Sequence, residues 1–274
     1  PLRPSRAFGR LLGRVALTLE VRSCKVARKN LTHCFPALDE RSKELILHER
    51  MLHMGQMLFE TPRVWHKSAD WLKNHIIDVK GMDVFNEALK SDKGIILLVP
   101  HQGNWEVVGL WIADKTAITS LYEPPKIRGL EDWVKTSRQH SGAKLVPTNS
   151  RGVAELLQAL KRGETIGILP DQQPPSNAGA FAPLFDKPAM TMTLVHKLLK
   201  RCEANVLFCT ALRISGGWNI HFTLADPAIH SADQDESVSA LNRGVERIAG
   251  LELSQYQWEY KRFRQQPKGL SSIY

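Results

Sequence analysis

Two rhythms divide this chain. Up to Glu60, apolar positions return every three or four residues, and from Ile76 onward short apolar runs alternate with amphipathic stretches. Phe8, Leu11, Leu12, Val15, Ala16 and Leu19 make one stripe at helical spacing, with Arg3, Arg6, Arg10 and Arg14 on another face. The pattern predicts a basic amphipathic helix. Such a helix either lies in a membrane interface, arginines among anionic headgroups, or docks on its own protein with the arginines in solvent. Asp39 is placed to cap a second long helix running to about Glu60, which carries Leu45, Ile46, Leu52, Met57 and Leu58. Met51, Met54 and Met57 read as packing, against core or lipid. Trp65 and Trp71 follow, as interface anchors or as buried rings.

The second rhythm predicts strands at 76–79, 94–99, 117–121, 144–146, 165–169 and 205–212. Helices fall between them at 84–89, 105–113, 129–140, 153–160 and 193–200. Gly216-Gly217 suits a hairpin turn into a last strand at 218–224. Strand–helix alternation of this kind defines an α/β fold, with a mixed, mostly parallel central sheet flanked by helices. The division expected is an N-terminal, membrane-associated helical region over residues 1–62 and a single globular catalytic unit over 63–274. No repeat or low-complexity segment interrupts either part, and no apolar run approaches the ~20 residues that span a bilayer.

One stretch carries the chemistry. The strand at 94–99 is closed by Pro100, which cannot donate to a ladder. His101 therefore sits at the carboxyl end of a strand, and Glu106 in the first turn or two of the next helix, at the crevice where open α/β sheets bind ligands. Residues five apart do not share a helix face. With His101 in the loop, however, the turn can bring Glu106 under its ring, fixing the tautomer and leaving the other nitrogen free to take a proton. A substrate hydroxyl is then a sufficient nucleophile. The competing interpretation is a capping or core histidine beside a surface glutamate.

Gln102 and Asn104 flank the loop as neutral donors for substrate, and backbone amides at the helix start face a developing oxyanion; both residues also suit turns and caps. Asp171, Gln172 and Gln173 follow the strand at 165–169 through Pro170, another carboxyl strand end that opens on the same crevice. Asp171 is placed to position His101, to bind a substrate hydroxyl or to cap the next segment, and Gln172 to touch substrate. The run PPSNAGAFAPLF reads as a flexible cover over an apolar chain, with Phe181, Leu184 and Phe185 as walls. Arg138 and, less directly, Arg128 and Lys126 are cations that can fork onto a phosphate or polarise a carbonyl.

Composition narrows the classes. With 37 Lys and Arg against 28 Asp and Glu, the net charge is +9. That excess suits an anionic membrane, an acidic carrier protein, a phosphorylated lipid or nucleic acid, without choosing among them. Cys24, Cys34, Cys202 and Cys209 form no CxxC pair and no zinc pattern, which leaves reduced structural thiols. No metal site, dinucleotide fingerprint or G-x-S-x-G elbow occurs.

The stretch PHQGNWE resembles the His-x4-Asp/Glu motif of the glycerolipid acyltransferase superfamily. It is most similar to the bacterial lipid A biosynthesis acyltransferases, the late lauroyl and myristoyl transferases. ARKNLTHCFP, RQHSGAKLVP, GILPDQQPP and QYQWEYKRFRQQP agree in the expected order across nearly the whole chain. The resemblance implies a glycerolipid-acyltransferase-like fold and O-acyl transfer, with His101 as general base and Glu106 orienting it. It implies Arg138 in the active site, no cofactor beyond an acyl carrier protein or acyl-CoA thioester as co-substrate, and a phosphorylated lipid A precursor as acceptor. It also implies work at an anionic membrane surface, the cytoplasmic face of the bacterial inner membrane, with no nucleic-acid partner. A hydrophobic helix is usual at the amino end of this family, and a start at Pro1 rather than at a methionine leaves room for part of it upstream. Two departures stand out. Tyr260 replaces the family's usual histidine, and SLYEPPKI puts Glu123 where an arginine is common, which leaves acceptor and acyl length open. A lysophospholipid or an amino lipid is the alternative acceptor, and a non-catalytic membrane or nucleic-acid binder the alternative class.

Overall fold

The computed structural model describes residues 1–122 and 142–274, with Gly129 and Thr136 between them. Arg128, Arg138, Lys126 and Glu123 lie outside the described residues, as does the helix expected over 129–140 apart from those two positions.

Three helices open the chain: α1 (Leu2–Thr18), α2 (Arg22–Cys34) and α3 (Glu40–Trp65). Asp39 caps α3 as expected, accepting from the Ser42 amide at 3.0 Å. The helix continues past Glu60 to Trp65, so the boundary drawn at residues 62 and 63 falls inside it. α1 lies on α3 with backbones almost touching, because Gly9, Gly13 and Gly55 meet at the crossing. A Cβ on Gly55 would stand 2.0 Å from the Gly9 carbonyl oxygen. That contact uses the small face of α1, not its apolar stripe. Ala16 of the stripe is buried, whereas Phe8 is 63 % and Leu19 69 % exposed, with Leu11, Leu12 and Val15 also outside. The helix thus docks on its own protein by its glycine face and leaves most of its apolar stripe uncovered.

A seven-stranded sheet follows, built from β1 (Ile76–Lys80), β2 (Gly94–Leu98), β3 (Ile118–Tyr122), β4 (Lys144–Pro147), β5 (Thr165–Ile168), β8 (Ala204–Ile214) and β9 (Gly217–Leu224). Its order is β1-β9-β8-β2-β5-β3-β4. Among the described residues of this sheet only β8 and β9 pair antiparallel, across the Ser215-Gly216 turn, so the sheet is mixed and mostly parallel. Alternate residues of β2 feed two cores: Ile96 and Leu98 one, Ile95 and Leu97 the other. A strand apolar on both faces is what a sheet covered by helices on both sides requires. α2 and α3 contribute Ala27, Leu31, Leu47 and Met51 to the first of these cores, so they are joined to the sheet by packing.

Two elements depart from the expectations. The PPSNAGAFAPLF stretch is no loose cover, since β6 (Gly179–Leu184) pairs with β7 (Lys187–Met192) in a separate antiparallel hairpin. Phe185 and Asp186 turn it with positive φ, 50° and 59°. A long helix at Gln234–Gly250 also lay in a region with no element predicted. Asp233 caps it, accepting from the amides of Asp235 and Glu236, and Val238, Leu241, Val245 and Ile248 are its buried stripe.

Candidate active site

β2 and β5 are neighbours and parallel, with Leu98 opposite Ile168. His101 and Asp171 each lie three residues beyond that pair, after Val99-Pro100 and Leu169-Pro170. Equal offsets from a shared register bring the two side chains together at the carboxyl edge of the sheet. His101 Nδ1 lies 2.7 Å from Asp171 Oδ1, and the His101 amide donates to Oδ2 at 2.9 Å. Asp171 is buried and His101 nearly so. Burial works to raise the Asp171 pKa; the charge and hydrogen bonds of His101 outweigh it and hold the carboxyl below its ordinary value. An ionised Asp171 on Nδ1 leaves Nε2 as the basic nitrogen. Nε2 lies 3.1 Å from the Gln172 amide nitrogen, which also donates to Gln257 Oε1 at 3.2 Å. In this geometry the amide donates to the imidazole lone pair, in the place a substrate hydroxyl would take.

The sequence pattern offered Glu106 as the carboxylate on the ring, and the structure seats Asp171 on Nδ1. Glu106 stands in the first turn of the helix Trp105–Ala113 and accepts from the Trp65 indole at 2.9 Å. Trp65 is thus a buried partner of the loop rather than an interface anchor.

Gln102 and Asn104, expected to face substrate, are fully buried and bonded inward. Gln102 Nε2 donates to the carbonyls of Ala249 and Glu252, and Asn104 Nδ2 to Glu60 at 3.0 Å. The backbone amides of the loop ahead of the helix are likewise occupied. Gln102 donates to the Pro100 carbonyl, Gly103 to that of Gln255, and Asn104 to that of Ala211. The reason is a strap. The loop is held between β8 and the C-terminal segment, with Gln102 bridged to Tyr256 and Gly103 to Ala211. Gly103 takes φ +57°, and a Cβ there would meet the Ala211 oxygen at 2.0 Å, so only glycine fits.

QYQWEYKRFRQQP, read as structural, is the other half of this strap. Gln255 pairs in both directions with the Arg213 backbone, and the Gln257 amide donates to the His101 carbonyl at 3.0 Å. Tyr256, Trp258, Arg262 and Phe263 are buried. Tyr260, in place of the family histidine, accepts the Gln173 amide at 3.1 Å through its hydroxyl. Leu184 and Phe185, proposed as slot walls, pack inside instead. Leu184 joins the core, and the Phe185 ring stands 5.2 Å from Phe35 and 5.4 Å from Trp258.

Sequence reasoning missed a second buried carboxylate. Glu60 accepts from Arg6 at 2.6 Å, Arg213 at 2.7 Å and Asn104 at 3.0 Å. Its signal was present, an acid among apolar residues of a helix and an arginine closing the apolar strand LFCTALRIS, but the two are 153 residues apart. No cluster of His, Cys, Asp or Glu among the described residues is arranged to hold a metal ion.

An imidazole poised by a buried carboxylate at the carboxyl edge of an α/β sheet defines a class of site able to take a proton from a substrate. The particular class follows from comparison with known proteins. The family described as "Bacterial lipid A biosynthesis acyltransferase" matches residues 1–265, and the chain belongs to that family. Its relatives include the lipid A biosynthesis palmitoleoyltransferase of Escherichia coli K12, 25% identical over 97% of this chain and 87% of the relative. The lauroyltransferase of the same organism is 25% identical over 96% of this chain and 86% of its own length. A lipid A biosynthesis acyltransferase of Haemophilus influenzae is 28% identical over 90% and 79%. The chain is accordingly an acyltransferase.

Proposed function

We propose that this protein transfers a fatty acyl group from an acyl thioester, carried by acyl carrier protein or coenzyme A, to a hydroxyl of a lipid A precursor. The observation that carries the reading is the His101–Asp171 pair, with Nδ1 held at 2.7 Å and Nε2 left with an amide donor. The acceptor hydroxyl displaces Gln172 from Nε2 and gives up its proton there as its oxygen attacks the thioester carbonyl. The C–S bond breaks as the tetrahedral intermediate collapses, and the imidazolium returns the proton to the leaving thiolate. Asp171 keeps the tautomer and stabilises the imidazolium, so no acyl-enzyme is required. Glu106, fixed by Trp65, adds a second carboxylate in the first turn of the helix after the loop and is assigned to substrate positioning and charge balance. Arg138 and Arg128 retain their expected part in binding the substrates.

The enzyme works at a membrane surface in this reading, on the cytoplasmic face of the inner membrane. Support comes from the uncovered apolar residues of α1, with Leu58 and Phe59 of α3 exposed beside them, and from a net charge of +9. No helix among the described residues is long and apolar enough to cross a membrane. The test is purified protein with acyl carrier protein and coenzyme A thioesters of several lengths, offered a lipid A precursor, a lysophospholipid and an amino lipid, with products weighed by mass spectrometry. One added acyl chain on the lipid A precursor is the expected product. Acylation of another amphiphile alone, or of none, overturns the assignment.

A further inference from the structure

Away from His101, one cavity carries chemistry that proton transfer does not use. It is a hollow of about 490 Å³ between α1, α3 and the β8–β9 turn, lined among others by Arg3, Arg6, Arg10, Arg213 and Ser215. Among the described residues, its four guanidinium groups are offered two carboxylates. Glu60 is shared by Arg6 and Arg213, and Glu49 stands 3.6 Å from Arg10. Arg6 is fully engaged, donating to the carbonyls of Ile214 and Gly217 as well. Arg213 is not. It is 6 % exposed, and its Nη1 has no hydrogen-bond partner among the described residues. Arg3, exposed and also lining the hollow, has no hydrogen bond or ion pair with a described residue either. A buried guanidinium nitrogen without a partner is costly unless something negative reaches it. The local field agrees: burial and then the charges of Arg213, Arg50 and Arg10 push the pKa of neighbouring His53 down to about 3.

We propose that this hollow binds a phosphomonoester of the acceptor lipid, through Arg213 Nη1, Arg3 and Arg10. A phosphomonoester carries nearly two negative charges and three acceptor oxygens, which matches the surplus of guanidinium donors. The volume takes a phosphate and part of the sugar that bears it. The acceptor is favoured over a bilayer phospholipid by a connection to the reacting loop: Glu60, gripped by Arg6 and Arg213, also accepts from Asn104, three residues after His101. That choice of source rests on the acyl-transfer reading; the binding of phosphate itself does not.

The test uses the full chain and an R3Q/R10Q variant, whose melting temperature is measured first. An R3K/R10K variant, with the charges kept, serves as control. Calorimetric titration with inorganic phosphate and with glucose 1-phosphate should show binding that R3Q/R10Q weakens about tenfold or more. Acylation of the phosphorylated precursor and of its dephosphorylated form should show a KM preference for the first that falls by a similar factor in the variant. Sedimentation with vesicles of phosphatidylethanolamine and phosphatidylglycerol reads the other source. Equal phosphate binding by wild type and variant overturns the site. Loss of vesicle binding with the KM preference intact overturns its assignment to the acceptor. Phosphate binding that depends on Arg3 and Arg10 in a protein that acylates nothing would leave the site standing and remove the acyl-transfer reading.

Discussion

Two buried carboxylates grip the loop at residues 101–104 from different directions, and they do different work. Asp171 holds an imidazole, a group with a second nitrogen to offer and a proton to exchange. Glu60 holds two arginines and an asparagine, none of which gives up a proton near neutral pH. Both acids are shielded from water and both are paired, so burial and charge alone do not single out a catalytic residue. What separates them is whether the partner keeps a reactive atom facing the crevice. His101 does. Arg6 and Arg213 lock the frame that presents it.

That contrast makes predictions of unequal size. Replacing His101 by alanine removes the proton acceptor and leaves the frame, so acyl transfer should fall by about 10⁴-fold, about 5.5 kcal/mol of barrier, while the melting temperature stays close to wild type. A variant that unfolds would place His101 with the frame instead. For Glu60→Gln the pattern reverses. Two guanidinium groups lose a buried counter-ion, and denaturant titration should show a loss of about 3–5 kcal/mol. Stability within about 1 kcal/mol of wild type would mean that the network is incidental.

The smallest effect belongs to the edge of the Glu60 network. His53, at a pKa of about 3 in the fold against an ordinary 6.5, is held neutral there. The unfolded chain takes up a proton below pH 6.5 that the folded protein refuses, so His53 stabilises fully above that pH and progressively less down to pH 3. Between pH 6 and 4 the wild type should lose about 1 kcal/mol per pH unit more than His53→Asn does. Parallel stability curves for the two proteins would refute it.

The Asp171 side of the site was nearly legible in the chain. Two apolar runs each end in proline followed by a titratable residue, and adjacency of β2 and β5 is all that was needed to join them. Strand order is not written in either run, and the nearer Glu106 claimed the role by proximity in sequence. Gln102 and Asn104 were misjudged for a related reason. Their identity suits a donor to substrate as well as a donor to the protein itself, and the groups that take them, the carbonyls of Ala249 and Glu252 for Gln102 and the Glu60 carboxylate for Asn104, lie far away along the chain. The Glu60 network was hidden more deeply, since it joins residue 6, residue 60 and residue 213. The helix Gln234–Gly250 has a capping aspartate and a regular apolar stripe, both local signals, but it lies beyond β9, where the strand–helix rhythm ends. The fold class itself followed from alternation alone, which is a local property.

The account stands on Asp171 acting through His101. The measurement that tests this most directly is the single-turnover rate of acyl transfer in wild type, Asp171→Asn, His101→Ala and the double variant, each checked for a native melting temperature. If the aspartate works only by holding the imidazole, the double variant is as slow as His101→Ala and no slower, because its carboxylate has nothing left to orient. Losses that multiply across the two positions would contradict it, giving Asp171 a task of its own.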